Sequence, residues 1–135
     1  MENAGSRLKL HLAGEVLAIC RLGRGGSSMP EWLGKSGFYS VTHTEDELSL
    51  VCPQIQVPEG IRKEGGWRCL KVEGPLDFSL TGVLASLTAP LAIAEISVFA
   101  ISTFDTDYLL VKEDRLEEAI DALTRSGFEV VTPVQ

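Results

Sequence analysis

Residues 99–111 read FAISTFDTDYLLV. The apolar runs FAI and YLLV carry the β-branched and aromatic content of strands. Between them STFDTD, residues 102–107, supplies acids, hydroxyls and a phenyl ring but no glycine. A two-residue hairpin turn favours Asn-Gly or Asp-Gly, so this connection is read as one wall of a small-molecule site. Asp105 also suits a solvated turn. Asp107 suits either turn chemistry or a ligand, and Phe104 either packs beneath the hairpin or meets a ligand.

Working outward, residues 96–102 and 107–113 are expected strands. Before them, GWRCLKVEG (66–74) is a short strand closed by Gly74-Pro75, and Leu80, Leu84, Leu87 and Leu91 recur at helical spacing. Ser79 or Thr81 is placed to cap that helix, and Pro90 to kink or end it. Beyond the strands, Asp114 with Glu117 three residues on fits a capping box. Leu116, Ile120 and Leu123 line one face of the second helix, and Gly127 suits its C-terminus. FEVVTPV (128–134) closes the set. The order βαββαβ is the split-βαβ, ferredoxin-like arrangement.

The first half reads as a reduced copy. SVTHTEDELSLVCP (40–53), set over AISTFDTDYLLVKE (100–113), places Val41 on Ile101, Glu45 on Asp105 and Leu50-Val51 on Leu110-Val111. EVLAICRL (15–22) supplies a strand, MPEWLGK a short helix entered by Pro30, and PQIQVPEG (53–60) has prolines where the second copy has its capped helix. The expected fold class is therefore α+β, with two ferredoxin-like lobes, residues 1–65 (reduced) and 66–135.

Composition narrows the partners. The chain has 135 residues, 44% hydrophobic and 23% charged, with a formal net charge of −7. This is globular composition, and the field repels nucleic acid and anionic membrane while leaving neutral zwitterions unaffected. Cys20, Cys52 and Cys69 lie in apolar runs and, with the isolated His11 and His43, match no zinc spacing, so no metal or cofactor is expected. Buried reduced thiols and an N-terminus without an apolar signal core point to the cytoplasm. Val83–Ile101 is long and nearly uncharged, but Pro90 and Glu95 fall inside it, so it reads as a buried helix and strand rather than a membrane span.

EGPLDFSLTGVLASLTAPLA (73–92) and ISVFAISTFDTDYLLVKEDRLEEAIDAL (96–123) resemble the small tandem ACT-domain proteins of bacteria and archaea. Their repeats are similar to those of the cytosolic arginine sensor of the TOR pathway. The resemblance implies a non-catalytic regulatory module that binds an amino acid or similar small metabolite at the seam between paired lobes. It assigns Leu76, Asp77, Phe78, Thr81 and Gly82 to the loop at the first helix, and Ser97 and Val98 to the partner's second strand. Thr103, Phe104 and Asp107 match ligand-contacting positions, and Leu80 stands where the arginine-sensing relatives carry a further acid, so a smaller or less cationic amino acid is expected. It also implies a homodimer through the C-terminal lobes, tightened by ligand.

Those residue types suit a zwitterion. Asp107 and Asp105 offer charge-assisted hydrogen bonds to an ammonium, and main-chain N–H groups at a helix start suit a carboxylate. Gly74 and Gly82 permit close main-chain approach. Other functions fit less well. GRGGSS (23–28) lacks the Lys-Ser or Lys-Thr of a phosphate loop, no nucleophile–base grouping is legible, and the central strands WRCLKVE and ISVFAIS carry no run like that of an RNA-binding sheet, in a chain of the wrong charge. The alternative is a protein-interaction subunit whose ligand site is vestigial.

Overall fold

The computed structural model describes residues 8–23, 29–34, 36–77 and 81–133. Its strands are β1 (Lys9–Arg21), β2 (Ser40–His43), β3 (Leu48–Pro53), β4 (Arg62–Val72), β5 (Phe99–Ser102), β6 (Asp107–Lys112) and β7 (Glu129–Val131), and its helices are α1 (Val83–Ile93) and α2 (Leu116–Arg125). Two compact units divide the chain, one of residues 15–67 and the other of 1–14 with 68–135. The boundaries fall inside β1 and inside β4, so each unit owns part of both strands.

In the larger unit the strand order is β7-β1-β4-β6-β5. Lys9, Leu10 and His11 pair in parallel with Glu129, Val130 and Val131, so residues that the sequence reading leaves with the N-terminal lobe join the C-terminal strand. His11 Nε2 lies 2.7 Å from Glu73 Oε1 and holds that exposed carboxyl below its ordinary range. Strand alternation turns Leu10, Leu70, Val72, Leu109 and Val111 to one face, where they pack against Val83, Leu87 and Leu91 of α1 and Ala119 and Leu123 of α2. Each fully buried leucine contributes about 1.5–3 kcal/mol relative to exposure. The sheet with two helices is the expected α+β class.

The helix ends differ from expectation. Gly82, in the left-handed region at φ 75°, is the N-cap of α1, with no side-chain cap bond, so Thr81 does not cap it; Ser79, Phe78 and Leu80 lie outside the described residues. Pro90 neither ends α1 nor shortens it, since the helix runs on to Ile93. A left-handed Glu95 (φ 59°) then reverses the chain, and Ile96 N–H donates to Leu91 O at 2.9 Å.

The capping box at α2 is also absent. Glu113–Arg115 form a 3-10 turn and Arg115 is the N-cap, with no side-chain cap bond. Arg115 instead donates through Nε and Nη2 to Glu118, both at 3.0 Å, and reaches the carbonyls of Ala94 and Glu95 at the end of α1. A cation there complements the helix dipole. Ala119 and Leu123 are the buried positions of α2, with Leu116 beside them and Ile120 half-buried. Gly127 (φ 99°) ends it as expected, with Phe128 N–H bonded to Leu123 O at 3.1 Å.

In the smaller unit the order is β2-β3-β1-β4, with Leu17 opposite Pro53 and Arg21 opposite Ser49. Ala18, Cys20, Leu50 and Cys52 form its core, with Trp32, Leu33, Val57 and Ile61 against them. MPEW forms a turn rather than a helix: Leu33 N–H bonds Pro30 O at 3.2 Å. After β3, Gln54–Gln56 form only a 3-10 turn.

The three cysteines are free and buried, as expected. Burial pushes the Cys20 thiol up and, aided by Cys20 beside it, the Cys52 thiol up to about 12. A raised folded-state value means the unfolded chain loses its proton first. Stability therefore falls as pH climbs from about 9 through the folded value. Cys52→Val is expected to flatten that alkaline limb relative to the unsubstituted protein in urea melts run from pH 8 to 11. Equal limbs would remove Cys52 as the cause.

The two hairpins match one another at a spacing one residue shorter than the sequence overlay. Ser40 pairs with Val51 and His43 with Leu48, while Phe99 pairs with Leu110 and Ser102 with Asp107, so Ser40 corresponds to Phe99 and Thr44 to Thr103. The same bond closes both four-residue turns: Thr44 N–H to Glu47 O, and Thr103 N–H to Thr106 O, each 2.9 Å.

Candidate functional site

A cleft of about 200 Å3 opens in the larger unit where β4 has ended and the β5–β6 turn begins. Leu76, Asp77 and Val83 form one side, and residues 102–107 the other. Its two sides are tied together. Leu76 N–H donates to Asp105 O at 2.7 Å, and the Thr106 hydroxyl donates to Val72 O at 2.7 Å. A Cβ added at Gly74 would lie 3.0 Å from Asp105 O and 3.1 Å from Thr106 Cβ, so glycine permits this approach. The loop that follows β4 is thus fixed against the turn.

Inside the turn, the Thr103 hydroxyl donates to Thr106 O at 3.1 Å, and Ser102 Oγ donates to Asp107 Oδ1 at 2.5 Å. Asp107 is half-buried and aimed by this serine, whereas Asp77 and Asp105 are exposed. Among the described residues, three carboxylates line the cleft and no Lys, Arg or His does. Such a lining attracts an ammonium and disfavours a bare carboxylate.

Of the residues expected here, Leu76, Asp77, Thr103, Phe104 and Asp107 come together in the cleft. Phe104 is 79% exposed, so it does not pack beneath the hairpin. Thr81 and Gly82 lie exposed just before α1 and outside the cleft lining. Ser97 and Val98 precede β5, which begins only at Phe99 because the turn ending α1 extends to Ile96. Ser97 is exposed and Val98 packs against the core. Sequence reasoning missed Val83 as part of this site, and it included Ser102 and Thr106 in the wall without singling out either one. Thr106, only 4% exposed, is the one buried polar residue among those described. The Thr-x-x-Thr spacing across the turn was the available signal.

Thr106→Val keeps the shape but leaves Val72 O without its donor, at a cost of about 1–3 kcal/mol. Denaturant midpoints should fall accordingly, whereas a neutral result would mean another donor replaces the hydroxyl. Among the described residues no cluster of three His, Cys, Asp or Glu is placed to hold a metal ion, and no helix is long and apolar enough to cross a membrane.

The ACT-domain family model matches residues 62–125, and a second model, of an N-terminal domain, matches residues 15–60. A 60-residue segment is 43% identical to the cytosolic arginine sensor for mTORC1 subunit 1 of Homo sapiens, covering 44% of this chain and 18% of the sensor. A crystal structure of a protein from Agrobacterium tumefaciens is similar over 96% of both chains, with a TM-score of 0.89 and 37% identity. The ligand-free regulatory subunit of aspartate kinase from Thermus thermophilus shares the fold, with a TM-score of 0.60 and 10% identity over 87% of this chain and 95% of that one. Residues 62–125 thus form a domain of the ACT family.

Proposed function

We propose that the protein is a non-catalytic regulatory ACT protein that binds an amino acid or similar small metabolite at the cleft between Leu76–Asp77 and residues 102–107. The observation that carries this reading is a cleft lined, among the described residues, by three aspartates, one of them held by Ser102, and by no basic side chain. Asp107 receives the ligand's ammonium, Asp77 and Asp105 reinforce the field, and Phe104 and Leu76 cover the apolar part. Main-chain groups near Phe78, Thr81 and Gly82 take the carboxylate, together with Ser97 and Val98 of a second copy.

At about 200 Å3 the cleft is smaller than the usual 300–1,000 Å3 of a small-molecule site, which suits half of a site completed by that copy. Helix α1 supports a homodimer through the C-terminal lobes. It contains no charged residue, yet Ala85, Ala89, Ala92 and Ile93 face outward, Ile93 with 85% exposure. A helix apolar on all sides ordinarily has a partner on each side. We further read residues 1–65 as a reduced ACT-like lobe preceding the ACT domain of 66–135. Support comes from the strand order β2-β3-β1-β4, which is that of a ferredoxin-like sheet, and from the matching Thr44 and Thr103 turns. Buried free thiols fit a reducing, cytoplasmic setting.

The small cleft equally favours a second reading, a protein-interaction subunit with a vestigial site. A thermal-shift panel of the standard amino acids and common nucleotides separates the two. A ligand at 100 times its dissociation constant adds about 2.7 kcal/mol and raises Tm by several degrees. Silence across the panel would leave the interaction role standing.

A further inference from the structure

A second cleft, of about 280 Å3, lies in the smaller unit, apart from the aspartate-lined one. Ile19 and Ser49 are in its wall, and Arg21, Arg62 and Lys63 line it with the acids Glu47 and Glu64. The chain carries 19 acids against 12 Lys and Arg, so a cleft in which bases outnumber acids reverses the molecule's balance. One of the two acids is committed to a base of the cleft. Glu47 Oε1 lies 3.3 Å from Arg21 Nη1, and Arg21 Nη2 donates to Asp46 O at 3.0 Å. These contacts from the β2–β3 turn fix the Arg21 guanidinium in place and commit Glu47 to it.

The side chains of Arg62 and Lys63, adjacent on β4, make no hydrogen bond or ion pair with any described residue. Strand register sets Ser49 directly opposite Arg21, which brings a hydroxyl donor to the fixed guanidinium. A held arginine, two uncommitted cations and a hydroxyl around a concavity form a donor set suited to oxyanions.

We propose that this cleft binds a small dianion, carried on phosphate or paired carboxylate oxygens, between Arg21, Arg62 and Lys63, with Ser49 as a further donor. Salt screens the local attraction to these cations and also the opposing field of the acidic chain, so binding weakens only modestly with salt. The size of the cleft limits the ligand to a small molecule, not a polymer.

The test is a titration of the 15N-labelled full chain with sodium phosphate and, separately, sodium malonate, each against sodium chloride at matched ionic strength. Saturable amide shifts confined to residues 19–21, 49 and 62–64 are expected with at least one dianion. Phosphate alone would assign the phosphate class, and malonate alone the dicarboxylate class. The Arg62→Gln/Lys63→Gln variant should bind about tenfold more weakly or worse. Lys9→Gln/Lys112→Gln, with the same change in net charge, should bind as the unsubstituted chain does. Arg62 and Lys63 are exposed and Lys9 and Lys112 half-buried, and retained spectral dispersion verifies folding. Shifts that follow ionic strength alone, or equal affinity in the Arg62/Lys63 variant, would overturn the site.

Discussion

Asp107→Asn is expected to weaken binding of the amino-acid ligand by about 2–5 kcal/mol, the usual cost of truncating one partner of a buried charge pair, or roughly 30-fold to several thousand-fold. The amide keeps an oxygen to accept the Ser102 hydroxyl that now bonds Asp107 Oδ1, so the turn survives and the loss reports charge. Calorimetric titration of a ligand found in the thermal panel measures it. Unchanged affinity would move the ammonium to Asp77 or Asp105, and loss of the fold would show that Asp107 is a turn residue first.

Leu87→Ala tests the packing that positions the cleft. Leu87 is fully buried on α1, in the core that also holds Leu70, Val72 and Leu109. Truncation removes transfer free energy and leaves a cavity, together about 2–5 kcal/mol. Chemical denaturation should show that loss with an unchanged denaturant slope. A cost below about 1 kcal/mol would mean that α1 moves in to fill the space, and with it Val83 of the cleft wall.

What the sequence makes legible follows the range over which each signal acts. The α1 stripe at Leu87 and Leu91 is readable because burial against a sheet imposes the helical period on nearby residues. The stop at Gly127 is readable because its left-handed conformation is local. The α2 start is not: Asp114 and Glu117 look like a capping box, but Arg115 is drawn to the end of α1, about twenty residues away in the chain. A similar limit hides Thr106. A threonine between two aspartates reads as solvated, and only its bond to Val72 O shows why it is buried.

The repeat register shows another ambiguity. LSLVCP and DYLLVK align nearly as well at a spacing of sixty as one residue shorter, since adjacent aliphatics are interchangeable in a doubly buried strand. The hydrogen bonds of Thr44 and Thr103 decide it. At the cleft, the acids and the hairpin were legible from composition, whereas the contact between Gly74 and Asp105 depends on tertiary approach. Ser97 and Val98 stand outside the cleft of a single chain, and their assignment depends on a second copy.

That dependence gives the central claim, a metabolite held at a seam between two C-terminal lobes, its most direct test. Sedimentation of the protein across a concentration series, with and without a saturating ligand from the panel, yields the dimer dissociation constant in each state. Linkage requires a ligand bound across the seam to tighten the dimer as much as dimerisation tightens the ligand. The account predicts a constant lowered about fivefold or more; equal constants with the ligand bound would contradict it.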